Sequence, residues 1–283
     1  MNPMLAAARA GLVRGGIEVR HTLTNAQDLW NYLFPNLIFL VVMFFMRNAT
    51  VPGTTFSLGA RTLPSLLGGG VAFGAMVTMM MTLALEREDG TLLRAKAVPH
   101  GMLGYLIGKV VQVAGMTVVS SVVLVVPGML LVDGLAPGGP VAGLTLLGVV
   151  LLGLVACLPL GAIFGSLFEN PRNLGVITLP IMGLVAISGI FYPINGFPTW
   201  LQWIGQAFPI YWLGLGMRSA LLPDELAAAE IGGSWRHLET FGMLGAWAVL
   251  GLLIAPVVLR RMARRESGSA VAARREKAMQ RTT

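Results

Sequence analysis

The residues Glu86-Arg87-Glu88-Asp89-Gly90-Thr91-Leu92 put four charges between two uncharged apolar runs, 63–85 and 110–132. Charge held this tightly between two membrane-length runs suits docking onto a partner rather than a passive turn. The acids favour a helix N-terminus through the backbone dipole, and Thr91 can cap it. The sequence therefore predicts a short helix from this point toward Ala97, stopped by Pro99, with Arg94 and Lys96 on its outer side. Glu88 offers an acid to a basic partner, and Gly90 lets a backbone approach closely. A second polar turn, with Glu169, Asn170 and Arg172, is either another contact with the same partner or a simple tight turn. Met76, Met79 and Met80 can form a thioether patch suited to varied apolar substrates, with ordinary lipid-facing or packing roles the favoured reading.

Other chemistries lack their residues. The three histidines, His21, His100 and His237, have no metal-ligand partner three or four positions further along the chain, so no metal site is expected. The single cysteine, Cys157, excludes a disulfide framework. The nearest approach to a phosphate-binding loop, 104–110, has the wrong glycine spacing and no hydroxyl after Lys109. The apolar runs hold no acid or base for a proton relay. The chain is thus expected to be no enzyme and to bind no cofactor. Any energy for transport must come from another subunit.

These residues need a membrane scaffold to position them. The chain of 283 residues is 55% hydrophobic and 12% charged, with a mean hydropathy of +0.74; soluble domains carry about 25% charge. Six runs can cross a bilayer as helices: 29–46, 63–85, 110–132, 141–168, 174–192 and 240–259. Of the 20 Lys and Arg residues, Arg47, Arg61, Arg218 and Arg236 fall on one side and the rest on the side of both termini. Cytoplasmic loops carry the excess of positive charge, so both termini and the 86–101 loop are expected in the cytoplasm. The same asymmetry explains the net charge of +7 without nucleic acid, because span-flanking bases attract anionic lipid.

Three regions follow: 1–28, 29–260 with the spans, and a basic tail, 261–283. No signal-peptide pattern opens the chain. In the first region Leu5, Ala8, Leu12, Val19 and Leu23 share one helical stripe, opposite Arg14, Glu18 and His21, which predicts an amphipathic helix in the membrane interface. After the fifth run, Phe191, Tyr192, Trp200, Trp203, Tyr211 and Trp212 gather among prolines. Such rings favour the headgroup level, and the prolines break the helix, so short broken helices are expected there as an outer gate. The segment 221–239, with Glu230, is expected to be solvated.

The 86–92 segment resembles the first cytoplasmic loop of ABC-2-type transporter permeases, where an E-R-E-x-G-T-L-type stretch opens a coupling helix seated on the ATP-binding subunit. Ser188-Gly189-Ile190-Phe191-Tyr192-Pro193, then Pro198-Thr199-Trp200-Leu201, then Pro209-Ile210-Tyr211-Trp212, then Arg218, resemble that family's C-terminal signature, most of all in the daunorubicin-exporter type of bacterial drug-resistance permease. The resemblance implies an all-α fold of six transmembrane helices with an N-terminal interfacial helix. It also implies two permease chains, identical or homologous, with two ATP-binding subunits in a bacterial plasma membrane. The implied substrate is a hydrophobic or amphipathic small molecule. Export of a lipid or a lipid-linked glycan by the same fold, or secondary transport, are the alternatives.

Overall fold

The structure, a computed structural model, describes residues 3–49, 58–132, 135, 139–168, 174–265, 267–269 and 272. The described residues form helices and turns without strands. In chain order the helices are α1 (Pro3–Thr24), α2 (Ala26–Met46), α3 (Leu58–Glu88), α4 (Thr91–Lys96), α5 (Gly101–Leu131), α6 (Pro140–Leu167), α7 (Gly175–Ile187), α8 (Thr199–Ala207), α9 (Pro209–Leu221) and α10 (His237–Arg265). Helices are what such a composition allows, because lipid offers no partner to an unpaired backbone N–H or C=O.

Five helices, α2, α3, α5, α6 and α10, are long and apolar enough to cross a membrane. The fifth predicted run, 174–192, folds differently. α7 has 13 residues, about 20 Å of helix, too short to cross a hydrocarbon core of about 30 Å alone. It stops at Ser188, where Gly189 takes φ +71°, a backbone shape that glycine adopts without steric cost. Pro193, Pro198 and Pro209 then divide the chain into a short turn, α8 and α9.

α3 is the central helix. Of its most apolar stretch 61% is buried, against 17% for α2 at the periphery. Gly161 and Gly165 of α6 lie on the α3 backbone: a Cβ at either would stand 2.4 Å from Met76 O or 2.8 Å from Met80 O. Small residues let helices approach where lipid supplies no hydrophobic drive between them. Gly68 of α3 makes a similar approach to the backbone of Gly214 in α9. α9 is almost wholly buried, enclosed by α3, α6 and α10. Gly161→Val should therefore force α3 and α6 apart and lower the thermal midpoint of the purified protein, whereas Gly143→Val, where a Cβ meets nothing within 4 Å, should leave it unchanged; equal midpoints would refute the seam.

α1 is packed along α5, a contact that the sequence did not predict. Gly11 and Gly15 pack on the Gly104 and Gly108 carbonyls of α5. The face carrying Arg14 and Glu18 is thereby turned toward the protein rather than toward water. Leu5, Leu12 and Leu23 of the apolar stripe stay exposed, as an interfacial helix needs if the stripe is to enter lipid.

Two clusters of charge sit near opposite ends of α3. At one end Arg218, only 1% exposed, donates from Nε to Glu230 Oε1 at 2.8 Å and from Nη2 to Glu230 Oε2 at 3.1 Å. Its Nη1 reaches Ser65 Oγ at 3.0 Å and Gly189 O at 3.3 Å, and Arg61 Nη2 stands 3.6 Å from Glu230. This corrects the expectation of a solvated 221–239 segment: Glu230 is 5% exposed because two guanidinium groups supply the countercharge that burial demands. The other cluster surrounds Glu86. From Ser65 to Glu86 the helix rises about 32 Å, close to the thickness of a hydrocarbon core.

Candidate coupling site

α3 runs through to Glu88, and the tip that follows is short and tightly built. Gly90 turns the chain with φ +77°. The N-cap of α4 is Gly90, not Thr91 as expected, and the Asp89 carboxylate accepts from the Thr91 N–H at 2.7 Å, satisfying the first donor of the helix. The Thr91 hydroxyl instead accepts from Arg94 Nη2 at 2.7 Å. α4 covers Thr91–Lys96, and His100, with φ +54°, turns the chain into α5.

The seven predicted residues divide by role. Glu86 Oε1 lies 2.5 Å from Lys109 Nζ. Arg87, 4% exposed, donates from Nη1 to Phe168 O at 2.9 Å and Ser166 O at 3.3 Å. It places a positive charge at the C-terminus of α6, where the helix dipole favours one. Gly90 and Leu92 are buried, and Glu88 and Thr91 are half-buried. The exposed surface of the tip consists of Asp89, Arg94, Lys96 and the residues from Ala97 to His100. Glu169, Asn170 and Arg172 of the second predicted contact lie outside the described residues.

Behind the tip is a network that sequence reading missed. Lys109, counted there as a span-flanking base, lies inside α5 and is 2% exposed. Its Nζ bonds Glu18 of α1 at 2.5 Å, Glu86 of α3 at 2.5 Å and Gln112 at 2.8 Å. Arg14 Nε also donates to Glu18 at 2.7 Å, and its guanidinium lies 5.7 Å from the Tyr105 ring centre. Burial alone would raise the Glu18 carboxyl pKa, but the hydrogen bonds from Lys109 and Arg14 outweigh burial and hold it below its ordinary value. α1, α3 and α5 are therefore tied together by one ammonium group, two residues before the tip begins. The available signal was a lone Lys at the mouth of an apolar run, with no acid nearby in sequence.

The aromatic set separates too. Phe191, Tyr192, Trp200 and Trp203 are exposed, whereas Tyr211 and Trp212 are buried. Trp212 Nε1 donates to Gln206 O at 2.6 Å, and Arg236 stacks 4.7 Å over its ring. These two rings support α9 and present no surface. Met76, Met79 and Met80 are at most 3% exposed and serve the packed interior around the α3–α6 seam.

A family model described as ABC-2 family transporter protein matches residues 21–257. The chain belongs to the ABC-2 transporter family. No match was found among curated proteins. The matched segment runs from the end of α1 into α10, so this ABC-2 chain carries the membrane component within the family region. It is a multi-pass membrane protein of a transport family, not a catalyst. Among the described residues no group of three His, Cys, Asp or Glu is placed to hold a metal.

Proposed function

We propose that this ABC-2 chain is the membrane-spanning subunit of an ATP-driven exporter of the bacterial drug-resistance branch. Two permease chains, identical or homologous, would pair with two ATP-binding subunits in the plasma membrane. ATP and its Mg ion act on those subunits, and both termini and α4 face the cytoplasm. Closing of the ATP-binding pair pushes α4, and α3 and α5 carry the movement to the spans. The transported molecule is hydrophobic or amphipathic.

The observation that supports this reading most is the tip. α4 is a capped helix joined by two-way turns to two long spans, with exposed charges at its surface and buried ion pairs at its base. A solvated turn would need no such anchoring. The uneven distribution of Lys and Arg supports the orientation.

The test is copurification with the ATP-binding subunit, followed by ATP hydrolysis and efflux from vesicles. Reversing charge at the tip with Glu88→Arg and Arg94→Glu should leave insertion and abundance intact. Efflux should fall at least about tenfold, the equivalent of ~1.4 kcal/mol of docking free energy, and hydrolysis should stop responding to substrate. Normal export by this variant, or export by the chain without any ATP-binding subunit, would remove the basis of the proposal.

A further inference from the structure

Gly70, Gly74 and Thr78 follow one another at intervals of four along α3, about midway between its two ion clusters. Intervals of four keep residues on one face of a helix. Together with Tyr32 and Asn36 of α2 and Thr117, Ser120 and Ser121 of α5, they line a cavity of about 60 Å³. A water molecule occupies about 30 Å³ of liquid, so the space suits one or two polar groups rather than a whole molecule. No charged residue lines it.

Six hydroxyl or amide side chains from three helices at this depth are costly unless something bonds them. Asn36 is 8% exposed and Thr117 7%. The two glycines do not serve helix contact, in contrast to Gly161 and Gly165: a Cβ at Gly70 or Gly74 meets nothing within 4 Å.

The hydrogen-bond inventory shows what this cavity offers. Asn36 Nδ2 donates to Tyr32 O at 2.9 Å and to Ser120 Oγ at 2.6 Å, so both its amide protons are used. Thr117 Oγ1 donates to Val113 O and Ser121 Oγ to Thr117 O, each at 2.8 Å. Asn36 Oδ1 and the hydroxyl lone pairs outnumber the O–H donors left on Ser120, Tyr32 and Thr78, so the space suits a ligand that brings O–H donors.

The surroundings are apolar. A cavity of about 210 Å³ shares Leu66 and Gly70 with the polar one and is lined further by Phe39, Phe73, Met182 and Ile190. Another, of about 250 Å³, shares Leu67 and Ser121.

We propose that the polar cavity between α2, α3 and α5 is the headgroup subsite for the transported molecule. It takes the uncharged, hydroxyl-bearing head of an amphiphile whose apolar body lies in an adjoining cavity. The inference rests on the transporter reading above. An ionic head is disfavoured because no countercharge lines the space, and an unpaired ion at this depth is expensive. Hydroxyl donors can come from a free amphiphile or from a bilayer diacylglycerol.

The experiment measures binding without ATP. The full chain in nanodiscs is titrated with radiolabelled 1-O-decylglycerol, its di-O-methyl ether and decyl trimethylammonium of equal chain length. The glycerol ether should bind saturably, and the other two at least about tenfold more weakly. Gly74→Leu, which fills the cavity, should abolish its binding without shifting the thermal midpoint. Thr117→Val with Ser121→Ala, which removes two oxygens and adds no bulk, should weaken it about tenfold. Competition by diacylglycerol in the disc assigns the head to a bilayer lipid, and its absence to a free amphiphile. Equal binding of the three probes, or unchanged binding of the glycerol ether by the Thr117/Ser121 variant, overturns the subsite. Because no ATP-binding subunit is present, that failure would leave the exporter reading standing. Loss of coupling at α4 would in turn leave these binding results intact.

Discussion

Arg218→Met is expected to destabilise the protein by about 3–5 kcal/mol, because it removes one partner of a buried, bidentate ion pair and strands the other. Glu230 would keep only Arg61, at 3.6 Å, and Ser65 Oγ and Gly189 O would lose their donor. These bonds join α9 to α3, to the turn after α7 and to the loop before α10. The whole Arg218 end of the bundle should loosen, seen as a lower thermal midpoint and faster protease cleavage near Gly189. Arg218→Met combined with Glu230→Met should recover much of the loss, since apolar replacement of both partners is often neutral. A double variant no more stable than Arg218→Met would show that the guanidinium acts by packing alone.

The second large effect is expected at Lys109. Lys109→Met leaves Glu18 and Glu86 close together without their shared ammonium. The cost should be about 3 kcal/mol, the lower part of the range for broken buried pairs, since side chains of Glu18 and Glu86 keep 22% and 15% exposure. The pH dependence follows from the lowered pKa of Glu18. In the wild type its contribution is complete above the ordinary carboxylate range and is lost as pH falls through the lowered value. In the variant Glu18 lacks the Lys109 bond that lowers its pKa, so the deficit relative to wild type should hold from about pH 8 down to the ordinary carboxylate range and shrink below it, toward about pH 3. Thermal unfolding followed by tryptophan fluorescence at both values tests this. A deficit that did not change with pH would mean that the ion pairs are unimportant and that Lys109 acts through its aliphatic stem. Since the network stands directly behind α4, hydrolysis in the complex should also respond less to substrate.

How much of this was legible in the chain varies from place to place. The apolar runs at 63–85 and 110–132 and the short helix after Gly90 were readable, since span length and turn residues are local properties. Pro99 did mark the end of the tip. Local reading failed where a side chain's partner lies far along the chain. Glu18 and Lys109 are 91 residues apart, and Arg218 and Ser65 are 153 apart. Arg87 looked like a docking residue because nothing nearby in sequence could show the α6 carbonyls that it meets. The fifth run was read as a span from its composition, although the turn at Ser188-Gly189 ends its helix early.

The sequence by itself determined that this is a helical membrane protein, because burial in lipid and the helix period act on neighbouring residues. It also contained the motifs of the ABC-2 family. Only the tertiary structure decided which charges stay at the surface and which hold the helices together. It likewise decided which glycines close a seam and which open a cavity. Gly161–Gly165 and Gly70–Gly74 have the same spacing and the same chemistry. The first pair meets the backbone of α3 and the second meets open space, and that difference lies in the neighbouring helix, which no local pattern encodes.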